Sequence, residues 1–88
     1  MRLVNSFDKE AVFDNLKEAK TYYLPSKEVD KDVRNKDNYS GDDFDGYVHR
    51  WEEYIDDLNN ATDLSELCEV LNRNSDEFDN GSSWSIVE

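Results

Sequence analysis

Apolar residues recur at three- and four-residue spacing in three stretches of the chain and alternate with polar ones at its two ends. In the first helical stretch Val12, Phe13, Leu16, Ala19, Tyr22 and Tyr23 fall at that spacing, which predicts a helix over 9–23. Asp8 reads as its N-cap, Phe7 and Val12 as a hydrophobic staple across the cap, and Pro25 as its stop. The longest amphipathic run covers 44–58. At about 100° per residue, Tyr47, Val48, Tyr54, Ile55 and Leu58 lie within about 60° of Trp51, while His49, Glu52, Glu53, Asp56 and Asp57 lie opposite. Asn59-Asn60 ends this run. Asp63, with Glu66 three residues on, forms a capping pair that opens a third helix over 64–72, with Leu64, Leu67, Cys68 and Leu71 as its buried stripe and Val70 beside it.

Between these helices, residues 26–40 offer only Val29, Val33 and Tyr39 as apolar anchors and fit either a short surface helix or a long ordered loop. After Asn74-Ser75 the pattern reads as an acidic loop, Asp76-Glu77-Phe78-Asp79, followed by a turn at Asn80-Gly81. Residues 2–6 and 83–87 read as strands, with Trp84 and Ile86 on one face of the second. Two short strands are marginal alone and need helices packed against them. The expectation is one small α+β domain over 1–88, mostly helical, with about three helices and short N- and C-terminal strands.

Composition narrows this picture. Leu, Ile, Val and Phe supply 20 of the 88 residues, just above the roughly 20% below which a highly charged chain stays disordered. Eleven aromatics, each able to bury about 150 to 250 Å², tip the balance toward a folded domain with a thin core. A single cysteine, Cys68, excludes an internal disulfide and a multi-cysteine metal site, and its place on an apolar stripe marks it as a core residue. No stretch approaches the roughly 18 apolar residues of a membrane span, and the first residues lack a signal-peptide run, so a cytoplasmic protein is expected. The three Asn-x-Ser/Thr triplets, beginning at Asn38, Asn60 and Asn80, then carry no meaning as glycosylation sites.

Charge changes the picture most. Residues 1–40 hold eight acids and eight bases, which cancel; residues 41–88 hold fourteen acids against Arg50 and Arg73, and so account for the whole net charge of −12. Such a density of like charge destabilises a compact state unless the field is useful, and a surface made only for solubility intersperses both signs. Asp42, Asp43 and Asp45 lie at the start of the central helix, and Glu52, Glu53, Asp56 and Asp57 on its outer face. Helical neighbours at i, i+3 and i+4 are about 5 to 6 Å apart at Cβ, comparable to the roughly 6 to 7 Å between phosphates along a DNA strand. Glu66 and Glu69 on the third helix, with Asp76, Glu77 and Asp79, could extend the row. The same field disfavours direct nucleic-acid binding by the chain itself.

Other chemistries find less support. Counted from Gly41, residues Asp43, Asp45, Gly46, Val48 and Glu52 match positions 3, 5, 6, 8 and 12 of a calcium-binding EF-hand loop, but position 1 is Gly41 where an aspartate belongs. His49 and Glu53 have metal-ligand spacing with no further His or Cys to complete a site. A glycine-rich phosphate loop and a nucleophile set are both missing from the sequence, and solvated carboxylates lack the raised pKa of a general acid, so an enzyme and a cofactor are not expected.

In size, charge and aromatic content the chain resembles the small phage-encoded inhibitors that act as DNA mimics, among them anti-restriction and anti-CRISPR proteins and inhibitors of DNA repair enzymes. This likeness of character spans the acidic half. It implies a stoichiometric inhibitor in the cytoplasm of a bacterial host, whose carboxylates occupy the DNA groove of a basic DNA-binding protein or nuclease. By that analogy the partner-binding residues are Asp42, Asp43, Asp45, Glu52, Glu53 and Asp56, continued by Asp57, Glu66, Glu69, Asp76, Glu77 and Asp79. An immunity or antitoxin-like protein with Trp84, Tyr39 and Phe78 as aromatic anchors is the alternative, and a calcium-binding module the third reading.

Overall fold

Antiparallel pairing of the two ends of the chain organises the fold. In the computed structural model, which describes residues 1–79 and 81–88, strand β1 (Arg2–Asn5) lies at the centre of a three-stranded sheet. Strand β3 (Trp84–Val87) runs antiparallel to it from Arg2 opposite Val87 to Asn5 opposite Trp84. A two-residue strand, β2 (Val12–Phe13), flanks β1 on the other side with Leu3 opposite Phe13. Leu3 is completely buried. Ile86 packs beside it and Trp84 is buried, so one face of the sheet closes on the helices as the alternation of 83–87 predicts.

Among the described residues there are four α-helices, one more than expected, and the architecture is α+β and mostly helical. Helix α1 (Leu16–Tyr23) starts later than the expected 9–23. Its N-cap is Asn15, whose side chain accepts the Glu18 N–H at 3.1 Å. Asp8 instead closes a tight turn by accepting the Glu10 N–H. The proposed staple does not form: Phe7 is 72% and Val12 41% exposed. A two-residue strand has no period of its own, so Val12 and Phe13 joined the helical register of the residues after them.

Helix α2 (Lys27–Val33) resolves the ambiguous segment as a short surface helix capped by Ser26, followed by a single 3-10 turn at Lys36–Asn38. Helix α3 (Phe44–Asn60) is the longest. Its face buries Trp51, Tyr54 and Leu58, with Ile55 packed against them. Lys20 on α1 donates its ammonium to the Asn59 carbonyl at 2.8 Å, a cation where the helix macrodipole is negative.

Helix α4 (Leu64–Phe78) packs antiparallel to α3 and runs two turns past the expected end at 72. Its start is as predicted: Asp63 accepts the Glu66 N–H at 2.8 Å while Glu66 reaches back to the Thr62 N–H at 2.9 Å. Asp76, Glu77 and Phe78 are helical rather than a loop, and Asp79 is the C-cap. Two nonlocal contacts carry the extension. Phe78 stacks on Tyr54 with ring centroids 5.2 Å apart and meets Trp51 edge-on at 5.1 Å. Ser75 is buried, and its carbonyl accepts the N–H groups of both Asp79 and Gly81. Gly81 has φ 73°, the left-handed conformation that suits glycine after a helix. Asn80, part of the expected turn and of the third glycosylation triplet, lies outside the described residues.

Candidate functional site

The acidic residues divide into three groups with different work to do. Asp43, Glu66 and Asp79 hold the fold. Asp43 caps α3 through the Gly46 N–H at 3.1 Å, and Glu66 completes the α4 capping pair. A Cβ on Gly46 would collide with the Asp43 carboxylate, which explains a glycine in the first turn of a helix. Asp79 is half-buried and accepts the Trp84 indole N–H at 3.0 Å and the Ser82 hydroxyl at 2.5 Å.

A second group is neutralised by arginines on neighbouring elements. Arg50 on α3 grips Glu77 on α4 with two bonds, 2.8 and 3.0 Å, and this carboxylate holds the guanidinium pKa above its ordinary value. Arg73 on α4 reaches Asp57 on α3 at 3.2 Å. Both bases of the acidic half are therefore spent inside the hairpin. On the other flank, Arg34, the C-cap of α2, bridges Asp30 at 3.0 Å and Glu52 at 3.1 Å. The Trp51 indole N–H donates to the other oxygen of Asp30 at 2.9 Å. That bond first, and Arg34 second, hold the Asp30 carboxyl below the usual carboxylate range.

The third group faces solvent. Asp45, Glu53 and Asp56 lie on the ridge of α3 between the two arginine-bound flanks. Among the described residues they meet no lysine or arginine; His49, one turn before Glu53, lies 2.9 Å from its carboxylate. Asp42 precedes the ridge, and Glu69 and Asp76 are exposed on α4. Asp57, Glu66, Glu69 and Arg73 border a shallow groove of about 210 Å³ between the two helices. The sequence placed the outer face of α3 correctly but could not separate a free carboxylate from one bound across a helix pair.

Aromatic anchors are mostly unavailable. Trp84 is 4% exposed, packed edge-on against Tyr23 at 4.9 Å, and Phe78 lies half-buried in the Trp51–Tyr54 cluster. Burial first, then the charge of Asp79, push the Tyr54 phenol up to about 12 and raise that of Tyr23 as well, so both stay neutral. Tyr39 alone of the three expected anchors reaches a groove, one of about 730 Å³ that it lines with Asp32, Val33, Tyr47 and Glu77. Sequence reasoning missed this groove; the isolated Tyr39 in a polar stretch, shortly before the Phe44–Tyr47 pair, was its signal.

The EF-hand alignment has no matching geometry. From Phe44 the chain is helical, so Asp45, Gly46, Val48 and Glu52 point around a helix instead of into a loop. Among the described residues no group of three or more His, Cys, Asp or Glu side chains is placed to hold a metal ion. Cys68 is buried, and desolvation pushes its thiol up, which disfavours the reactive thiolate. No helix among the described residues is long and apolar enough to cross a membrane. Comparison with known proteins finds no matching family model, no similar curated protein and no similar solved structure.

Proposed function

We propose that this chain is a non-catalytic, stoichiometric inhibitor that acts as a DNA mimic. Its carboxylate ridge occupies the nucleic-acid groove of a basic DNA-binding protein or nuclease, of the kind that restriction, CRISPR or DNA-repair systems supply in a bacterial cytoplasm. The observation that carries the reading is the fate of the bases. Arg50, Arg73 and Arg34 are all engaged at the flanks, which leaves Asp45, Glu53 and Asp56 projecting from a rigid helix with no Lys or Arg paired to them among the described residues. Along the axis at 1.5 Å per residue, Glu53 stands about 12 Å from Asp45 and Asp56 about 5 Å from Glu53, the longer step close to two phosphate spacings. The longest dimension of the molecule, 42 Å, matches about twelve base-pair steps at 3.4 Å each.

The test is competition for DNA. A type I restriction enzyme, a guide-loaded Cas nuclease and a repair glycosylase are each assayed for DNA binding with equimolar inhibitor. The expected result is loss of DNA binding by one of them at low salt, with the affinity of the inhibitor–target complex falling steeply between about 50 and 200 mM salt. The triple variant Asp45→Lys, Glu53→Lys, Asp56→Lys should lose inhibition while remaining folded. Glu52 and Asp57 are left alone because a lysine there would face Arg34 or Arg73. Full inhibition by the triple variant, or a partner that binds the chain and DNA at once, would sink the proposal; the second outcome would favour the immunity-type reading.

A further inference from the structure

We infer that the groove between the connection from α2 to α3 and the end of α4 seats an arginine side chain of the partner. The inference rests on the reading above that the partner is a basic protein, and it adds where one guanidinium of that partner sits. Asp32, Val33, Asn38, Tyr39, Tyr47 and Glu77 form its walls, with a volume of about 730 Å³. Two features of these walls favour arginine over other occupants.

The first is the pairing of rings with acceptors. Tyr39 and Tyr47 stand edge to face with centroids 4.9 Å apart, so a flat cation entering the groove can lie over one ring while meeting the edge of the other. Phe44 buttresses Tyr39 at 5.8 Å and Phe78 buttresses Tyr47 at 5.9 Å. The backbone of Gly41 closes against the same ring: a Cβ there would lie 2.5 Å from the Tyr39 phenol oxygen. The rings are thus held in place before any ligand arrives.

The second is the polarity of the rim. Asp32 makes no ion pair among the described residues, and Asn38 uses its amide N–H on the Asp32 carbonyl at 3.2 Å, which leaves its acceptor oxygen for a ligand. Among the described residues no lysine or arginine lines the groove. A rim of acceptors around aromatic walls fits an all-donor planar cation. Lysine offers a compact and strongly hydrated charge that stacks less well. Glu77 already shows the chemistry from the other side, binding the Arg50 guanidinium through both oxygens. An anionic ligand would meet the unpaired charge of Asp32 and is disfavoured.

The test titrates the isotope-labelled full chain with two capped peptides, hexa-arginine and hexa-lysine, at low salt, read by amide chemical shifts. The inference expects the arginine peptide to bind about two- to fivefold more tightly, the margin of a cation–π contact at a half-exposed ring. Its largest shifts should fall on 38–41 and Tyr47. Tyr39→Ala should erase the preference and Tyr39→Phe keep it. Should Tyr39→Ala unfold, Asp32→Lys on the exposed rim serves instead and should also erase it. Equal affinities, with shifts centred on the Asp45–Asp56 ridge, would overturn the arginine seat while leaving the carboxylate ridge standing. Failure of both peptides to bind anywhere would overturn the two together.

Discussion

The side-chain amide of Asn72 closes on the backbone of Trp84 as a neighbouring strand would. Its oxygen accepts the Trp84 N–H at 2.7 Å and its nitrogen donates to the Trp84 carbonyl at 2.9 Å. β3 pairs with β1 on one side only, so these two groups belong to the open edge of the sheet. One side chain on α4 thereby satisfies them and pins the helix to the strand. Replacing Asn72 by Ala is expected to cost about 1 to 3 kcal/mol, because a partly buried N–H and C=O lose their partners together. Urea unfolding measures this. The same variant exposes a longer strand edge, and sedimentation should show self-association that the parent lacks.

The Trp51–Asp30 bond makes stability depend on acid. Asp30 has a folded pKa below its unfolded value of about 4. Its contribution is therefore complete above pH 4 and disappears as the pH falls through the lower folded value. Asp30→Asn should melt below the parent at pH 6, and the difference should shrink as the pH falls below the unfolded value toward the lower folded one. Asp30 is largely solvent-screened, so the gap at pH 6 is expected to be no more than about 1 kcal/mol. A gap that stays constant as the pH is lowered would show that the carboxylate charge is not its origin.

Arg50 ties the last turns of α4 to α3 through Glu77. Arg50→Gln should fray residues 74–78, raising amide exchange there while 64–71 stay protected. If exchange rises evenly along α4, the extension rests on Phe78 and Ser75 instead.

With a net charge of −12, repulsion outweighs the few surface pairs, which solvent screens. Added salt shortens the screening length to about 8 Å at 0.15 M and should raise the melting temperature by several degrees. The triple lysine variant should melt higher than the parent at low salt and gain less from added salt. A parent that loses stability with salt would mean that Arg34, Arg50 and Arg73 dominate.

Much of this fold could be read from the chain because it depends on local order. The Trp51-centred stripe, the Asp63–Glu66 capping pair and the alternation that marks the terminal strands all rest on periodicity or on residues within one turn. What escaped rests on distant partners. Asn74-Ser75 looks like a stop, yet Ser75 is buried and Arg50 holds the turn beyond it. β2 exists because β1 offers it an edge, and the capping pair Asn15–Glu18 was hidden inside an apparent helix. The acidic row was legible as a face, but its division into caps, bound carboxylates and a free ridge depends on α2 and α4, whose placement no spacing along α3 reveals.

The arginines on either flank of α3 also set how the ridge meets anything. Their pairs fasten α3 to α2 and to α4, so the backbone beneath Asp45, Glu53 and Asp56 has little left to order on contact. Association then costs the chain mainly side-chain rotamer freedom, and most of the conformational entropy lost on binding must come from the partner.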